Sequence, residues 1–315
     1  MKTLISTNFE LPKQVSKYVG KVREVISLEN DLLVIITTDR LSAFDIVLPK
    51  GIPHKGQILN QISLNMLNST KDLVPNWLIS SPDPNVSIGK KCEPFKVEMI
   101  IRGYLSGHAA RQYKIGKRYI SGVRMPNKMN ENDPFEKPII TPSTKSESGH
   151  DEDISKEEIL DKALVSEKDY NEIERYTNLL FQEGSKIARD RGLILVDTKY
   201  EFGKSKDGEI LLIDEIHTPD SSRYFYIEGY EERQKKGLNQ RQLSKEFAGQ
   251  WLISKGFQGL SGQQLPEINS NFTKMVSERY IELYEIITGK NFIPAKIKNI
   301  ESRVKNNILS FLENF

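Results

Sequence analysis

An α+β fold is predicted for this chain of 315 residues, and three observations predict it. β-type runs joined at a turn-like Asn30-Asp31 pair fill the N-terminal part. Two helix starts with capping-box spacing follow in mid-chain, and a strictly alternating segment then leads from Leu193 into an Asp-Gly turn. Strand-rich and helix-rich stretches that are segregated, not regularly alternating, are the pattern of an α+β architecture.

The elements follow in order. Residues 18–27 and 32–38 read as strands joined around Asn30-Asp31, with a further apolar run over 46–48, so the chain opens with an antiparallel sheet. Residues 56–67 have helical spacing, and 94–101 read as a strand that leads into a helix over about 106–115. Residues 125–153 are rich in Pro, Asn, Ser and Thr, the composition of a long irregular segment of the kind that carries function or stays disordered. Ser155 with Glu158 and Ser166 with Asp169 open two helices, the second running to about Arg191 and stopping at Gly192. After Arg223 the sequence is mostly helical and polar, with Trp251 and Tyr284 as packing residues.

In the alternating run, Asp197, Lys199 and Glu201 share one face of a strand, and Ile194, Val196, Thr198, Tyr200 and Phe202 share the other. Asp207-Gly208 is a strong two-residue hairpin signal. With that turn Lys206 opposes Glu209, and Glu201 comes directly opposite Asp214. Two like charges in that relation are destabilising unless something lies between them. A magnesium ion suits the pair, since it takes one or two protein carboxylates and completes its shell with water and phosphate oxygens. The plainer alternative is a solvated hairpin edge, and a longer loop over 203–207 would move the pairing.

Composition sets the outer bounds. With 37% hydrophobic and 28% charged residues the chain suits one large or two modest domains with a real core. No apolar stretch approaches the roughly 20 residues of a spanning helix, and the N-terminus has no apolar signal region, so no membrane partner is expected. The single Cys92 fits a reducing compartment, and the expected location is the cytoplasm. Forty-five basic against 43 acidic residues do not mark a nucleic-acid binder. Residues 99–130 nevertheless contain no Asp or Glu while holding Arg102, Arg111, Lys114, Lys117, Arg118, Arg124 and Lys128, which implies a local anionic partner.

Shorter strings add to this. GKVRE, residues 20–24, places a glycine beside Lys21 and Arg23, two residues apart on one expected strand; it is neither a Walker loop nor a dinucleotide fingerprint. TTDRLSAFD, residues 37–45, gathers Asp39, Arg40, Ser42 and Asp45 after a strand, where turn-making explains them almost as well as function. TPSTK, residues 141–145, packs three hydroxyls and an ammonium into five residues, an anion-friendly set.

Taken together, GKVRE, TDRLSAFD, VEMIIRGYLSG, TPSTKSESGHDED, DTKYEFG and DEIHTPDSSR occur in the order found in the phosphoribosylaminoimidazole-succinocarboxamide synthase (SAICAR synthetase) family, which the chain resembles from about residue 18 to 223. The resemblance implies an ATP- and Mg2+-dependent ligase of purine biosynthesis that joins L-aspartate to the carboxylate of CAIR. It also implies an ATP-grasp- or kinase-like plan, with an ATP-covering antiparallel β lobe over residues 1–97, a substrate- and metal-binding α+β lobe over 98–315, and the active site in the cleft. By the same likeness Gly20, Lys21, Val22 and Arg23 form the ATP phosphate loop, and Lys96, Val97 and Glu98 the segment that meets adenine. Glu201 and Asp214 match metal and ATP ligands, while Lys199 and Arg223 match the ribonucleotide and transferring-phosphate site. Arg102 corresponds to a substrate-phosphate ligand, and Ser143, Thr144, Lys145 and Asp151 resemble the wall where the imidazole carboxylate and the amino acid meet. Many relatives have Ser where this chain has His108. Histidine can donate the same hydrogen bond, and Ser106 offers a hydroxyl instead.

The implied chemistry activates a carboxylate as an acyl phosphate that the aspartate amine then attacks. Lys21, Lys199 and the metal neutralise charge, and either Asp151 or the departing phosphate takes the amine proton. A kinase is the rival enzyme, but HRDxxxxN is absent. A non-catalytic nucleic-acid module is the rival from another class, and it has no use for two opposed acids. Nothing in the sequence decides between monomer and homo-oligomer.

Overall fold

The computed structural model describes residues 2–145 and 151–315, so positions 146–150 of the TPSTKSESGHDED string lie outside the described residues. The fold is α+β with antiparallel sheets. Two compact units divide the chain: Met1–Asn65, Leu78–Lys91 and Leu243–Phe315 form the first, Met66–Trp77 and Cys92–Gln242 the second. This differs from the expected division at residue 97. A single strand runs unbroken from Glu93 to Tyr104, and the C-terminal helices belong with the first unit, whose core is completed by apolar residues of the last helix.

In the first unit, strands β1 (Gln14–Val19), β2 (Arg23–Leu28) and β3 (Leu32–Thr37) form consecutive antiparallel pairs. The expected strand over 18–27 is broken at residues 20–22. Gly20 N–H donates to Arg23 O at 2.8 Å and closes a turn, so Lys21 sits in that turn and not on a strand with Arg23. The tiny hairpin β4 (Ser42–Ala43) and β5 (Ile46–Val47) turns at Phe44 and Asp45, whose φ values of 51° and 61° are those of a type I′ turn. Helix α1 (Lys55–Thr70) passes from the first unit into the second. Strands β6 (Leu78–Asp83) and β7 (Val86–Lys90) complete a five-stranded sheet of order β1-β2-β3-β7-β6.

The second unit begins with β8 (Glu93–Tyr104), whose end feeds α2 (Gly107–Lys114). Short strands β9 (Tyr119–Ile120) and β10 (Val123–Arg124) pair with each other. The segment expected to be irregular contains β11 (Pro134–Ile140) and β12 (Ser143–Thr144), both paired to β8, so ladder hydrogen bonds order what composition alone reads as loop. Helix α3 (Lys156–Asp161) has the complete Ser155–Glu158 capping box. Helix α4 (Glu167–Asp190) is capped by the Ser166 hydroxyl, which accepts from Asp169 N–H; the Asp169 carboxylate goes to Lys204 instead of closing a box. The chain leaves α4 through Gly192 at φ 75°, as expected.

Strand β13 (Leu193–Lys204) is the spine of this unit. It pairs with β8 on one side, and with β15 (Ser222–Tyr226) and β14 (Ile210–Ile213) on the other. Its apolar face is fully buried at Val196, Tyr200 and Phe202, and the Phe202 ring meets Tyr176 of α4. After α5 (Tyr230–Lys235) and the short β16 (Gln242–Leu243), the chain returns to the first unit through α6 (Glu246–Ser254), α7 (Ser270–Thr288) and α8 (Ile300–Asn314). Val304 and Ile308 of α8 enter the same core as Ile26, Val34, Ile36 and Ile88. Tyr284 is buried, and half-buried Trp251 stacks on Phe272 with ring centroids 4.2 Å apart. Among the described residues no helix is long and apolar enough to cross a membrane.

Candidate active site

The charged face of β13 holds the candidate residues Asp197, Lys199 and Glu201, and its neighbours differ from those expected. Glu201 opposes Ile213, not Asp214. The hairpin loop is Lys206, Asp207 and Gly208: Gly208 N–H donates to Ser205 O at 2.9 Å, Ser205 N–H to Glu209 O at 2.9 Å, and Gly208 takes φ 81°. A type I turn followed by a left-handed residue is the three-residue hairpin loop, and its extra residue shifts the register by one. Asp214 therefore ends its strand with φ 61°, yet it still acts electrostatically on both Lys145 and Lys199.

The acid directly opposite Glu201 is Glu98 of β8, and what lies between the two is an ammonium. Lys199 Nζ donates to Glu98 Oε1 at 2.6 Å and to Glu201 Oε1 at 3.0 Å, while Lys145 Nζ donates to Glu201 Oε2. Burial pushes the Glu201 carboxyl up, but the ammoniums of Lys199 and Lys145 outweigh it and hold it down at about 2. Burial disfavours the Lys199 charge as well, and the two carboxylates overcome this and raise it. Glu98 is driven up by its own burial, only partly relieved by Lys199. Ser143 Oγ donates to Glu98 Oε2 at a long 3.4 Å, and Thr144 Oγ1 accepts from Glu152 N–H at 3.0 Å. Asp151 is exposed and close enough to add negative potential at Glu98. In the adenine-segment candidates, Val97 is buried, while Lys96 is exposed and its carbonyl accepts from Lys145 N–H at 3.1 Å.

Farther along the same face lies an arginine pair. Arg102 donates through Nε to Thr141 Oγ1 at 2.9 Å and through Nη1 to Asp197 Oδ2 at 3.3 Å; Arg223 Nη1 donates to the same Oδ2 at 2.5 Å. Gly107, at φ 56° in the first turn of α2, lies against the Arg223 guanidinium so closely that a Cβ there would overlap it. Ser106 is the N-cap of α2, and its hydroxyl makes no capping bond. Guanidiniums beside an uncapped helix N-terminus make an anion site. His108 Nε2 lies 2.9 Å from Asp153 Oδ2, and that hydrogen bond holds the Asp153 carboxyl below its usual range.

In the first unit, considered by itself, the loop at Gly20, Lys21, Val22 and Arg23 is held by residues of the TTDRLSAFD string. Arg40 donates to Gly20 O at 2.8 Å and Lys21 O at 3.1 Å, and Thr38 N–H donates to Val22 O at 3.0 Å. Lys21 pairs with Asp45 at the tip of the type I′ hairpin. The structure thus brings Glu98, Lys145, Lys199 and Glu201 together, and separately Arg102 and Arg223, with Ser106 next in sequence to the Gly107 that packs on Arg223. Sequence reasoning gave no role to Asp197, Asp153, Thr38 or Arg40. The alternation that grouped Asp197 with Lys199 and Glu201 was a usable signal for the first of these.

Comparison with known proteins gives this geometry a context. The family model described as SAICAR synthetase matches residues 16–263. The phosphoribosylaminoimidazole-succinocarboxamide synthase of Flavobacterium psychrophilum is 62% identical over 315 residues, covering 100% of both chains. That of Cytophaga hutchinsonii is 59% identical, covering 99% of this chain and 100% of its own. A solved SAICAR synthase from Saccharomyces cerevisiae, complexed with SAICAR, is 30% identical with a TM-score of 0.76, covering 91% of this chain and 99% of its own. With a family model across most of its length and relatives aligned end to end, the chain belongs to the SAICAR synthetase family.

Proposed function

We propose that this chain is an acid–amino-acid ligase that condenses L-aspartate with the carboxylate of CAIR, 5-amino-1-(5-phosphoribosyl)imidazole-4-carboxylate, to give SAICAR, ADP and phosphate. The observation that carries the reading is the buried Glu201 carboxylate gripped by Lys199 and Lys145 and faced by Glu98. Family membership supplies the substrate class. The family likeness assigns Gly20, Lys21, Val22 and Arg23 to the ATP phosphate loop and Lys96, Val97 and Glu98 to the adenine segment. Arg102, Ser106, His108 and Arg223 take the ribonucleotide phosphate, and Ser143, Thr144, Lys145, Asp151 and Lys199 face the reacting carboxylate and the amino acid. The reaction belongs to the cytoplasm, in keeping with a chain whose one cysteine is Cys92.

The residues present fit a magnesium ion. Glu201 is ionised, and each of its oxygens has a second lone pair beyond the one given to a lysine; Asp214 acts on the same two lysines. Glu201 and Asp214 would hold the magnesium, which would supply charge neutralisation at the transferring phosphoryl group. The remaining steps belong to the chain. Lys199 offsets the charge that develops as the γ-phosphoryl passes to a carboxylate oxygen of CAIR and ADP leaves. The aspartate amine then attacks the acyl carbon, the C–O bond to phosphate breaks, and the amine proton goes to Asp151 or to the departing phosphate. Holding the reactants in line supplies much of the rate.

The direct experiment incubates the protein with ATP, Mg2+, CAIR and L-aspartate, follows ADP, and omits each component in turn. ADP release that requires all four supports the proposal. Equal release without aspartate or without CAIR refutes it.

A further inference from the structure

We propose that Asp197 is the positioning residue of the phosphate subsite: its carboxylate, shared by Arg102 and Arg223, sets the spacing of the two guanidiniums that grip the ribonucleotide phosphate. This rests on the assignment of those two arginines to the phosphate.

Arg102 on β8, Asp197 on β13 and Arg223 on β15 lie at one level across three neighbouring strands. Both guanidiniums donate to one oxygen, Asp197 Oδ2, at 3.3 and 2.5 Å, so their Nη1 atoms can be no farther apart than those two bonds laid end to end. Two buried cations converge like this only if an anion holds them, because each repels the other and both have left water. Arg102 spends Nε on Thr141 and Nη1 on Asp197, which leaves Nη2 without a protein acceptor among the described residues.

A defect in the ladder makes the arrangement possible. Leu195 pairs with Tyr224, but the next pair is Asp197 with Arg223, so Val196 is an extra residue in β13. Were the register of 193–195 to continue, Asp197 would oppose Ser222 and Arg223 would oppose Val196. Directly opposed residues share a face, so the arginine would then point with Val196 into the apolar core. The bulge turns Arg223 onto the face of Asp197, Lys199 and Glu201, as bulges beside active sites re-aim side chains. Gly107 then closes over the guanidinium, since only a residue without Cβ leaves room for it.

Asp197 bonds to Arg102 and Arg223, so its loss is felt in ribonucleotide binding and not in chemistry. The test measures kcat and KM for all three substrates, and binding of ribose 5-phosphate by calorimetry, in wild type, Asp197→Asn, Arg223→Gln and the double variant. The expected result for Asp197→Asn is a KM for CAIR raised roughly tenfold to hundredfold, the factor carried by charge-assisted hydrogen bonds. Binding of ribose 5-phosphate should weaken by a similar factor, while kcat and the KM for ATP stay within about twofold of wild type. The double variant should be little worse than Arg223→Gln alone, because the carboxylate acts through that arginine. If Asp197→Asn does not fold, Asp197→Glu keeps the charge and moves it by one methylene, and it should raise the KM for CAIR with kcat retained. Wild-type affinity for ribose 5-phosphate in the folded Asp197 variant, or a fall confined to kcat, would overturn the inference. If Arg223→Gln itself binds ribose 5-phosphate like wild type, the phosphate subsite fails instead.

Discussion

Replacing Lys199 with Met tests whether the active-site face is held by charge or by packing. Met keeps the length and apolar stem of lysine while removing the ammonium that stands 2.6 Å from Glu98 and 3.0 Å from Glu201. Those carboxylates are directly opposed on adjacent strands and nearly buried, so their charges fall about 5 Å apart. At an effective dielectric of about 20, two unit charges at that distance repel by roughly 3 kcal/mol. Lys145 still grips Glu201, so the acid that yields is Glu98, whose burial already favours its protonated form. A carboxyl whose folded-state pKa lies above its unfolded one contributes stability at low pH and loses it as pH rises. The variant should therefore lose about 3 kcal/mol against wild type at pH 8, and less than half of that at pH 5, measured by urea unfolding of the second unit. An equal loss at both pH values would show that Lys199 acts by packing and would refute the electrostatic reading.

Further outcomes follow from other parts of the fold. Asp39 accepts from Leu4 and Gly56 N–H groups, and burial raises its pKa from the ordinary carboxylate range to about 6. The first unit should therefore lose about 2 kcal/mol relative to Asp39→Asn as pH rises from 4 to 7, seen as a falling difference in urea midpoints; a flat difference would contradict the assignment. Ser166→Ala removes the N-cap of α4 and should cost about 1 kcal/mol in urea unfolding, whereas no measurable loss would mean that the cap is idle. Gly107→Ala puts a methyl group into the Arg223 guanidinium and a side chain at φ 56°. It should raise the KM for CAIR more than it lowers kcat, and an unchanged KM would place Arg223 outside the substrate site.

Much of the second unit was legible because local signals there agree with the tertiary outcome. Alternation from Ile194 to Phe202 assigned both faces of β13, since one face packs against α4 and the other must hold charge. Ser155, Ser166 and Gly192 marked helix ends through bonds made within a few residues. What failed was counting. The Asp207-Gly208 pair signals a turn, but its length depends on Ser205 closing a type I turn first, and one extra residue moved Asp214 away from Glu201. The bulge at Val196 leaves no local trace, although it decides which face Arg223 takes. Glu98 and Glu201 become opposed only when β8 and β13 pair, and nothing near either residue announces that partnership. The string over residues 18–27 was read as one strand because its residues suit a strand, whereas Arg40 and Thr38, distant in sequence, hold Gly20, Lys21 and Val22 in a turn.

The central claim is that the cluster around Lys199 and Glu201 serves a reaction in which a carboxylate is activated by phosphorylation before the amine attacks. CAIR labelled with oxygen-18 in its carboxylate, turned over with ATP, Mg2+ and L-aspartate, tests this most directly. One labelled oxygen in each molecule of inorganic phosphate released is the predicted result. Phosphate free of label, formed alongside SAICAR, would contradict it.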